Sequence, residues 1–238
     1  MTDVTYDLSH TAALATGPNT FPTGTPPNQT FFIAPATVAF SSPSVTVPAG
    51  GSASVDVTIS PHAALADRSL YGGYIVFTPQ GGGQEYWVPF AGFKGDYQGF
   101  QVLTPTASNY PWLARLTGST FTNKPSGETY NMTNAENIPY FLVHFDHQVR
   151  RVRMEIFDAV SGKAWHRAFE SEYFPRNSGA SSFFLFAWDG ITVNGRKLNV
   201  VPNGQYIMVL TVEKALSDGV TPTHFETWTS PVITIARP

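Results

Sequence analysis

Apolar and polar residues alternate with a period of two along most of the chain. In residues 52–60, Ala53, Val55, Val57 and Ile59 fall on one side of an extended backbone, and polar residues fall on the other. This spacing predicts a β-strand with one buried face. The pattern recurs throughout the second half, for example over residues 204–215, so the sequence predicts many short strands.

Two denser apolar stretches, residues 71–78 and 85–93, flank the glycine run at 81–83 and predict strands that are buried on both faces. A phosphate-binding loop would continue into a Lys-Ser/Thr pair and a helix. Here the run leads into another strand, so it predicts a hairpin loop in which glycine adopts positive φ freely.

Further residues refine this hairpin. Pro89 cannot donate to a β-ladder, which indicates an edge position or a bulge. Gly72 and Gly73 indicate a bulge or a close backbone approach.

The alternation is interrupted once. Residues 104–135 are polar and turn-rich, with a single apolar plug at residues 111–113. We therefore expect a sandwich over residues 1–103, a linker or packing segment over 104–135, and a second sandwich over 136–238. Few apolar residues recur with helical spacing, and the sequence predicts at most one short helical turn in each of two stretches, residues 60–70 and 213–218. The predicted class is all-β, with two tandem fibronectin III/Ig-like β-sandwiches.

Composition narrows the possible functions. Charged residues make up 13% of the chain, about half the usual share, and the net charge is −3. This charge provides no field that would attract nucleic acid, so no nucleic-acid partner is expected. Cysteine is absent, which excludes disulfides and thiolate metal sites. No apolar run reaches the roughly 18 residues of a membrane span, so no membrane insertion is expected.

The first residues lack the basic and apolar regions of a signal peptide. Instead, Val4, Tyr6 and Leu8 alternate with polar residues, as in a strand. We expect from this that the chain is a piece excised from a longer protein.

Candidate catalytic and metal-binding groups are few. No serine has the sharp-turn setting of a hydrolase nucleophile. His144 and Asp146 share a strand face and are the best metal candidates, but a third ligand is lacking, and a polar strand end is the favoured interpretation. Glu170 and Glu172 have no special context as glycosidase carboxylates. The sequence thus predicts no catalytic, cofactor-binding or metal site, and no cofactor.

Other polar and aromatic residues have structural explanations. Only two of the arginines in residues 150–153 are expected to share a face, where they would be solvated. Calcium is conceivable at Asp96, Asp158 or Asp189, although none has an established ligand spacing. The tryptophans could form a sugar-stacking platform, but in sandwiches they usually fill the core. A glycosylation pattern begins at Asn28.

Longer stretches of the sequence resemble a known arrangement. VTYDLSHTAALATGPNTF, LYGGYIVFTPQGGG and VPFAGFKGDYQGFQVL resemble the fibronectin-III-like domain that follows the catalytic domain of large bacterial subtilisin-like serine proteases. This similarity covers about residues 3–103. The second half, with FAWDG and VPNGQYIMVLTVEKAL, resembles the terminal sandwich of such proteases and the Ig-like module of flagellar hook-capping proteins.

The resemblance implies a non-catalytic accessory region of an exported, extracellular or cell-surface protease. The Asp, His and Ser motifs of that family are absent from this sequence, so no catalytic residue carries over. The implied partner is the catalytic domain of the parent protease, within one polypeptide, and the implied roles are stability, spacing or substrate binding. The alternatives are a carbohydrate- or cell-wall-binding module and a structural stalk of a bacterial surface protein.

Overall fold

The computed structural model describes residues 2–17 and 31–238, so the predicted glycosylation pattern at Asn28 lies outside the described residues. It confirms the all-β class, with helical structure in those residues confined to 3-10 turns at Ala135–Asn137 and Pro222–His224. None of the described helices is long and apolar enough to cross a bilayer. The chain forms two compact units, residues 1–97 and 98–238.

This division differs from the expected one. Residues 104–135, expected to form a linker or packing segment, lie inside the second unit and contribute three strands to it. Those strands have three to six residues and are separated by turns that contain Gly, Ser and Pro, at residues 118–119 and 124–127. Segments this short carry too few apolar positions for a period of two to stand out.

The first unit contains eight strands among its described residues. They are β1 (Val4–Ala12), β2 (Ala15–Thr16), β3 (Phe31–Phe32), β4 (Thr37–Phe40), β5 (Ser44–Val47), β6 (Val57–Ser60), β7 (Leu70–Pro79) and β8 (Tyr86–Phe93). The main sheet has the order β5-β1-β7-β8, and β2-β3 and β4-β6 form separate antiparallel pairs.

The glycine run forms the predicted hairpin loop. β7 and β8 pair antiparallel with Phe77 opposite Tyr86, and Gly82 and Gly83 between them have φ of 78° and 123°. At the other end of β7, a Cβ added to Gly73 would lie 2.4 Å from the carbonyl oxygen of Thr11. The expected close backbone approach is therefore present.

The second unit contains twelve strands. They are β9 (Trp112–Thr117), β10 (Thr120–Asn123), β11 (Glu128–Tyr130), β12 (Tyr140–Val143), β13 (Val149–Asp158), β14 (Ala164–Phe174), β15 (Phe184–Ala187), β16 (Ile191–Asn194), β17 (Lys197–Val200), β18 (Gly204–Lys214), β19 (Phe225–Thr229) and β20 (Ile233–Ile235). One sheet has the order β10-β9-β12-β15, and the other has the order β11-β20-β18-β13-β14-β16-β17, with β19 also paired to β18.

The core of the second unit lies between these two sheets. The alternation predicted for β13 and β18 is realised, since Met154, Ile156, Met208 and Leu210 are all at most 2% exposed. Each such side chain contributes about 1.5–3 kcal/mol when it is fully buried.

One end of this core is closed by an ion pair. Lys214 and Glu226 lie 3.4 Å apart with nearly buried side chains. The Glu226 carboxylate accepts hydrogen bonds from the backbone N–H groups of Val102 (2.8 Å) and Leu103 (2.7 Å), and Lys214 Nζ donates to the carbonyl oxygen of Gln98 (2.6 Å). The first residues of the unit are thereby fixed across the end of the sheet.

Candidate interaction surface

β8 forms one edge of the main sheet of the first unit. Tyr86, Trp87 and Val88 are 52%, 51% and 50% exposed. Because successive strand residues point to opposite faces, this edge is open to solvent on both sides. The prediction that residues 85–93 are buried on both faces is therefore wrong. An apolar run is equally compatible with an edge strand, and Pro89 was the signal for the edge.

Pro89 also limits what the edge can bind. Lys94 N donates to Ser69 O across the ladder at 2.9 Å. Because hydrogen-bonded and non-hydrogen-bonded pairs alternate, the Tyr74–Pro89 pair is a non-hydrogen-bonded one, and the backbone nitrogen of Pro89 faces the free edge. A proline there cannot donate to an added strand, so partners would contact side chains rather than extend the sheet.

On one face of this edge, Tyr74 and Trp87 pack edge to face, with ring centroids 5.7 Å apart and planes inclined by 66°. The indole N–H of Trp87 donates to Glu85 (3.3 Å), whose other carboxylate oxygen accepts from the Thr78 hydroxyl (2.8 Å). The rings are held in position, but they do not form the flat platform on which a sugar ring stacks. The other four tryptophans lie in the second unit and are buried or partly buried.

On the opposite face lies an apolar groove of about 500 Å³. Its aromatic wall is formed by Tyr6, Phe77 and Tyr86, with Tyr6 centred 6.4 Å from Phe77 and 6.0 Å from Tyr86. The rest of the lining consists of Val45, Val47, Ala53, Ser54, Val55 and Val88. Among the described residues no charged side chain lines the groove, so the surface suits apolar side chains.

The predicted metal candidates are held by hydrogen bonds and do not form a ligand set. His144 is 3% exposed, and its Nδ1 lies 2.7 Å from the carbonyl oxygen of Ser182. A carbonyl only accepts, so Nδ1 carries the proton and Nε2 faces Asp146 at 3.9 Å. Within residues 2–17 and 31–238, no three His, Asp or Glu side chains are placed to hold a metal ion.

Two of the three calcium candidates cap turns. Asp158 accepts hydrogen bonds from the N–H groups of Ser161 and Val160 and from the Ser161 hydroxyl. These bonds lower the pKa of the Asp158 carboxyl. Asp189 accepts from the N–H of Ile191 at 2.9 Å in the turn before β16.

Glu170, one of the two carboxylates considered for glycosidase chemistry, belongs to a network of ion pairs. It lies 3.9 Å from Arg151 and 4.0 Å from Arg153, and it also contacts Arg167. Glu172 is opposite Arg151 in the β13–β14 register. Glu170 and Glu172 therefore lie among arginines on one face of the sheet, where partly exposed ion pairs contribute little stability.

The prediction that only two of the arginines in residues 150–153 share a face is wrong. Arg150 and Arg151 both reach Glu213, at 3.9 Å and 2.9 Å, although alternation placed them on opposite faces. The register between β13 and β18 shifts between Val149 and Arg151, so Arg150 is the extra residue of a β-bulge. The extra residue puts the buried Val149 and Val152 three positions apart instead of two, and this break in the period is the trace that the bulge leaves in the sequence.

Comparison with known proteins identifies part of the chain. Residues 1–91 match the family model of the Fn3-like domain. The first unit is fibronectin-III-like. The match covers less than half of the chain and ends before the second unit begins. No curated protein matches the chain.

Proposed function

We propose that this chain is an accessory region of an exported subtilisin-like serine protease, in which the fibronectin-III-like unit docks on another domain of the same polypeptide. The observation that carries the proposal is the open edge of that unit, where Tyr86, Trp87 and Val88 are half exposed beside an apolar groove. Covering such a surface with a partner is favourable, because it removes apolar area from water.

The geometry favours a protein partner over a glycan. The 66° inclination between Tyr74 and Trp87 supports edge-on packing with apolar side chains. The groove offers the Ser54 and tyrosine hydroxyls as polar groups, whereas sugar recognition needs several placed donors and acceptors. The protease parent rests on the resemblance of the sequence.

The proposed origin from a serine protease can be tested on the native polypeptide that contains this chain. An antibody raised against the purified chain is used to precipitate its antigen from cells and culture medium of the encoding organism, and the precipitate is treated with a fluorophosphonate probe. We expect an extracellular or surface-bound species larger than 25.9 kDa that the probe labels. An unlabelled species would contradict the protease parent and favour the stalk alternative.

The purified chain provides a second test. We expect it to cleave no peptide in a broad library, because the motifs of the parent catalytic domain are absent from its sequence. Cleavage that survives repurification and is abolished by a serine-directed inhibitor would contradict the accessory role.

A further inference from the structure

A pocket of about 420 Å³ lies in the second unit, at the end of the large sheet where β13 begins and β14 and β18 end. Its lining includes Val149, Arg150, Tyr173, Phe174, Pro175 and Ala215. This volume is within the range of small-ligand sites.

The floor of the pocket is rigid. Val149 is 2% exposed and belongs to the core, and it pairs with Phe174 across the sheet. The Phe174 ring packs against the rings of Phe145 and Phe184, with centroids 6.2 Å and 5.4 Å apart, respectively. A floor anchored in the core does not collapse when the pocket is empty.

Tyr173 forms one wall in a conformation that its surroundings do not explain. Its φ is 60°, in the left-handed region that residues other than glycine rarely adopt, and its side chain is 76% exposed. His166, on the same strand, also has positive φ, but it lies where the β13–β14 register shifts. The pairs on either side, Val149–Phe174 and Arg151–Glu172, keep one register, and Tyr173 itself has no partner in the β13–β14 ladder, so the irregularity is confined to this position.

Arg150 forms the facing wall. It lies opposite Tyr173, between the Val149–Phe174 and Arg151–Glu172 pairs, and it is the extra residue of the β-bulge between β13 and β18. Its Nη1 donates to Ser217 O (3.2 Å), while its side chain stays 48% exposed. An arginine carries five N–H donors. Within the described residues Nη1 has Ser217 O as its acceptor and Nε lies 3.9 Å from the buried Glu213 carboxylate, so the donors of Nη2 remain for a ligand. Two irregular backbone positions thus place a cation and an aromatic ring at one pocket.

We propose that this pocket binds the C-terminal residue of a peptide, with the terminal carboxylate on Arg150 and an apolar side chain against Tyr173 and Phe174. Arginine is suited to carboxylates because its donors form a planar fork. The Cβ atoms of residues directly opposite in a sheet are only about 5 Å apart. A C-terminal residue carries its carboxylate and its side chain on one Cα, so the two groups are close enough to contact Arg150 and Tyr173 at the same time. An internal Asp or Glu and its neighbour in an extended peptide point to opposite sides.

Three peptides test the proposal by amide NMR of the full chain: acetyl-Ala-Phe with a free carboxylate, its C-terminal amide, and acetyl-Asp-Phe-amide. For the free acid we expect shifts at Val149, Arg150, Tyr173 and Phe174, with a Kd on the order of 1 mM. We expect at least about tenfold weaker binding of both amides, because they lack the terminal charge. Equal binding of acetyl-Asp-Phe-amide would overturn the assignment to a C-terminus, and absence of shifts at these residues would overturn the site.

Variants separate recognition from folding. Arg150→Gln should remove the preference for the free acid over its amide. Tyr173→Gly should weaken both peptides while the remaining spectrum is unchanged, because glycine adopts positive φ without strain. Arg196→Gln, in the exposed turn between β16 and β17, is the matched control and should bind like the unchanged protein. If Arg150→Gln and Arg196→Gln behave alike, Arg150 is not the anion site.

Discussion

The two units bury their apolar residues to different degrees. In the second unit, twenty buried apolar residues form one cluster between two sheets, whereas the cluster described in the first unit joins Ala15, Ala34 and Leu65. The charges of the two units also differ. Residues 1–97 contain two basic and six acidic side chains, whereas residues 98–238 contain twelve basic and eleven acidic side chains. The second unit buries most of its large apolar side chains in one core, while the first leaves an apolar edge and groove exposed.

Truncation of an apolar side chain should give the largest contrast. Leu210 is fully buried, so Leu210→Ala should destabilise the second unit by about 3–5 kcal/mol, through lost burial and the cavity left behind. Val88 is half exposed at the open edge, so Val88→Ala should cost the first unit less than about 1 kcal/mol. Urea unfolding followed by NMR signals of each unit measures both. Equal costs would remove the distinction between a closed and an open unit.

The ion pair at the end of the second core should have the next largest effect. Glu226→Gln leaves Lys214 as a nearly buried cation without its carboxylate and weakens the bonds to Val102 and Leu103. We expect a loss of about 3 kcal/mol, because breaking a buried pair is far more costly than breaking an exposed one. Urea unfolding gives the loss, and hydrogen exchange should show reduced protection of the Val102 and Leu103 amides.

Glu155→Gln is the matched control for this pair. Glu155 lies 2.7 Å from Arg153, but the two side chains are 29% and 41% exposed on the open sheet face. We expect a cost of about 0.5 kcal/mol. If this substitution lowers the free energy of unfolding as much as Glu226→Gln does, burial does not determine how strongly these ion pairs stabilise the fold.

These contrasts show which features the sequence could predict. The strands of the second core were predictable because Met154, Ile156, Met208 and Leu210 keep a strict period of two and all face one side. The hairpin was predictable because glycine favours the positive φ found at Gly82 and Gly83. Both signals are local.

Other features depend on contacts between distant residues. The Lys214–Glu226 pair and the amides of residues 102 and 103 are more than 100 positions apart along the chain. The exposure of Tyr86 and Trp87 depends on whether another strand follows β8 in the sheet, which alternation does not encode. The pocket at Tyr173 depends on a bulge at Arg150, which the sequence marks only by the spacing of three between Val149 and Val152, and on a positive φ at a tyrosine, which has no sequence signal.

A pH-dependent contribution is expected in the second unit. Burial disfavours ionised Glu128, but hydrogen bonds from Lys124, the Thr129 N–H and Arg115 outweigh this and lower the pKa of Glu128 from 4.5 to about 2. A lowered pKa means that the ionised form stabilises the fold above pH 4.5, and that this stability is lost as the pH falls towards about 2.

The loss should be about 1 kcal/mol, since the pair is only partly shielded from solvent. Urea unfolding of the second unit at a series of pH values measures it. Glu128→Gln should remove this part of the pH dependence. An unchanged profile in that variant would assign the acid sensitivity to other carboxylates.

The smallest effect on stability is expected at the open edge of the first unit, where the effect on binding should be largest. Tyr86→Ser combined with Trp87→Ser removes half-exposed rings and should change the free energy of unfolding by no more than about 1 kcal/mol. The same variant should bind less bis-ANS, a dye that reports accessible apolar surface, because the groove loses Tyr86, one of the three rings of its aromatic wall, and the opposite face loses Trp87.

Leu198→Ser with Val200→Ser is the matched control in the second unit. These residues are 68% and 66% exposed on the four-residue strand β17, and neither belongs to the groove beside Tyr86. We expect unchanged dye binding, because isolated exposed apolar residues do not form a binding surface. Equal dye loss in both variants would mean that exposure alone, without the groove, explains the difference between the units, and the docking role of β8 would lose its physical basis.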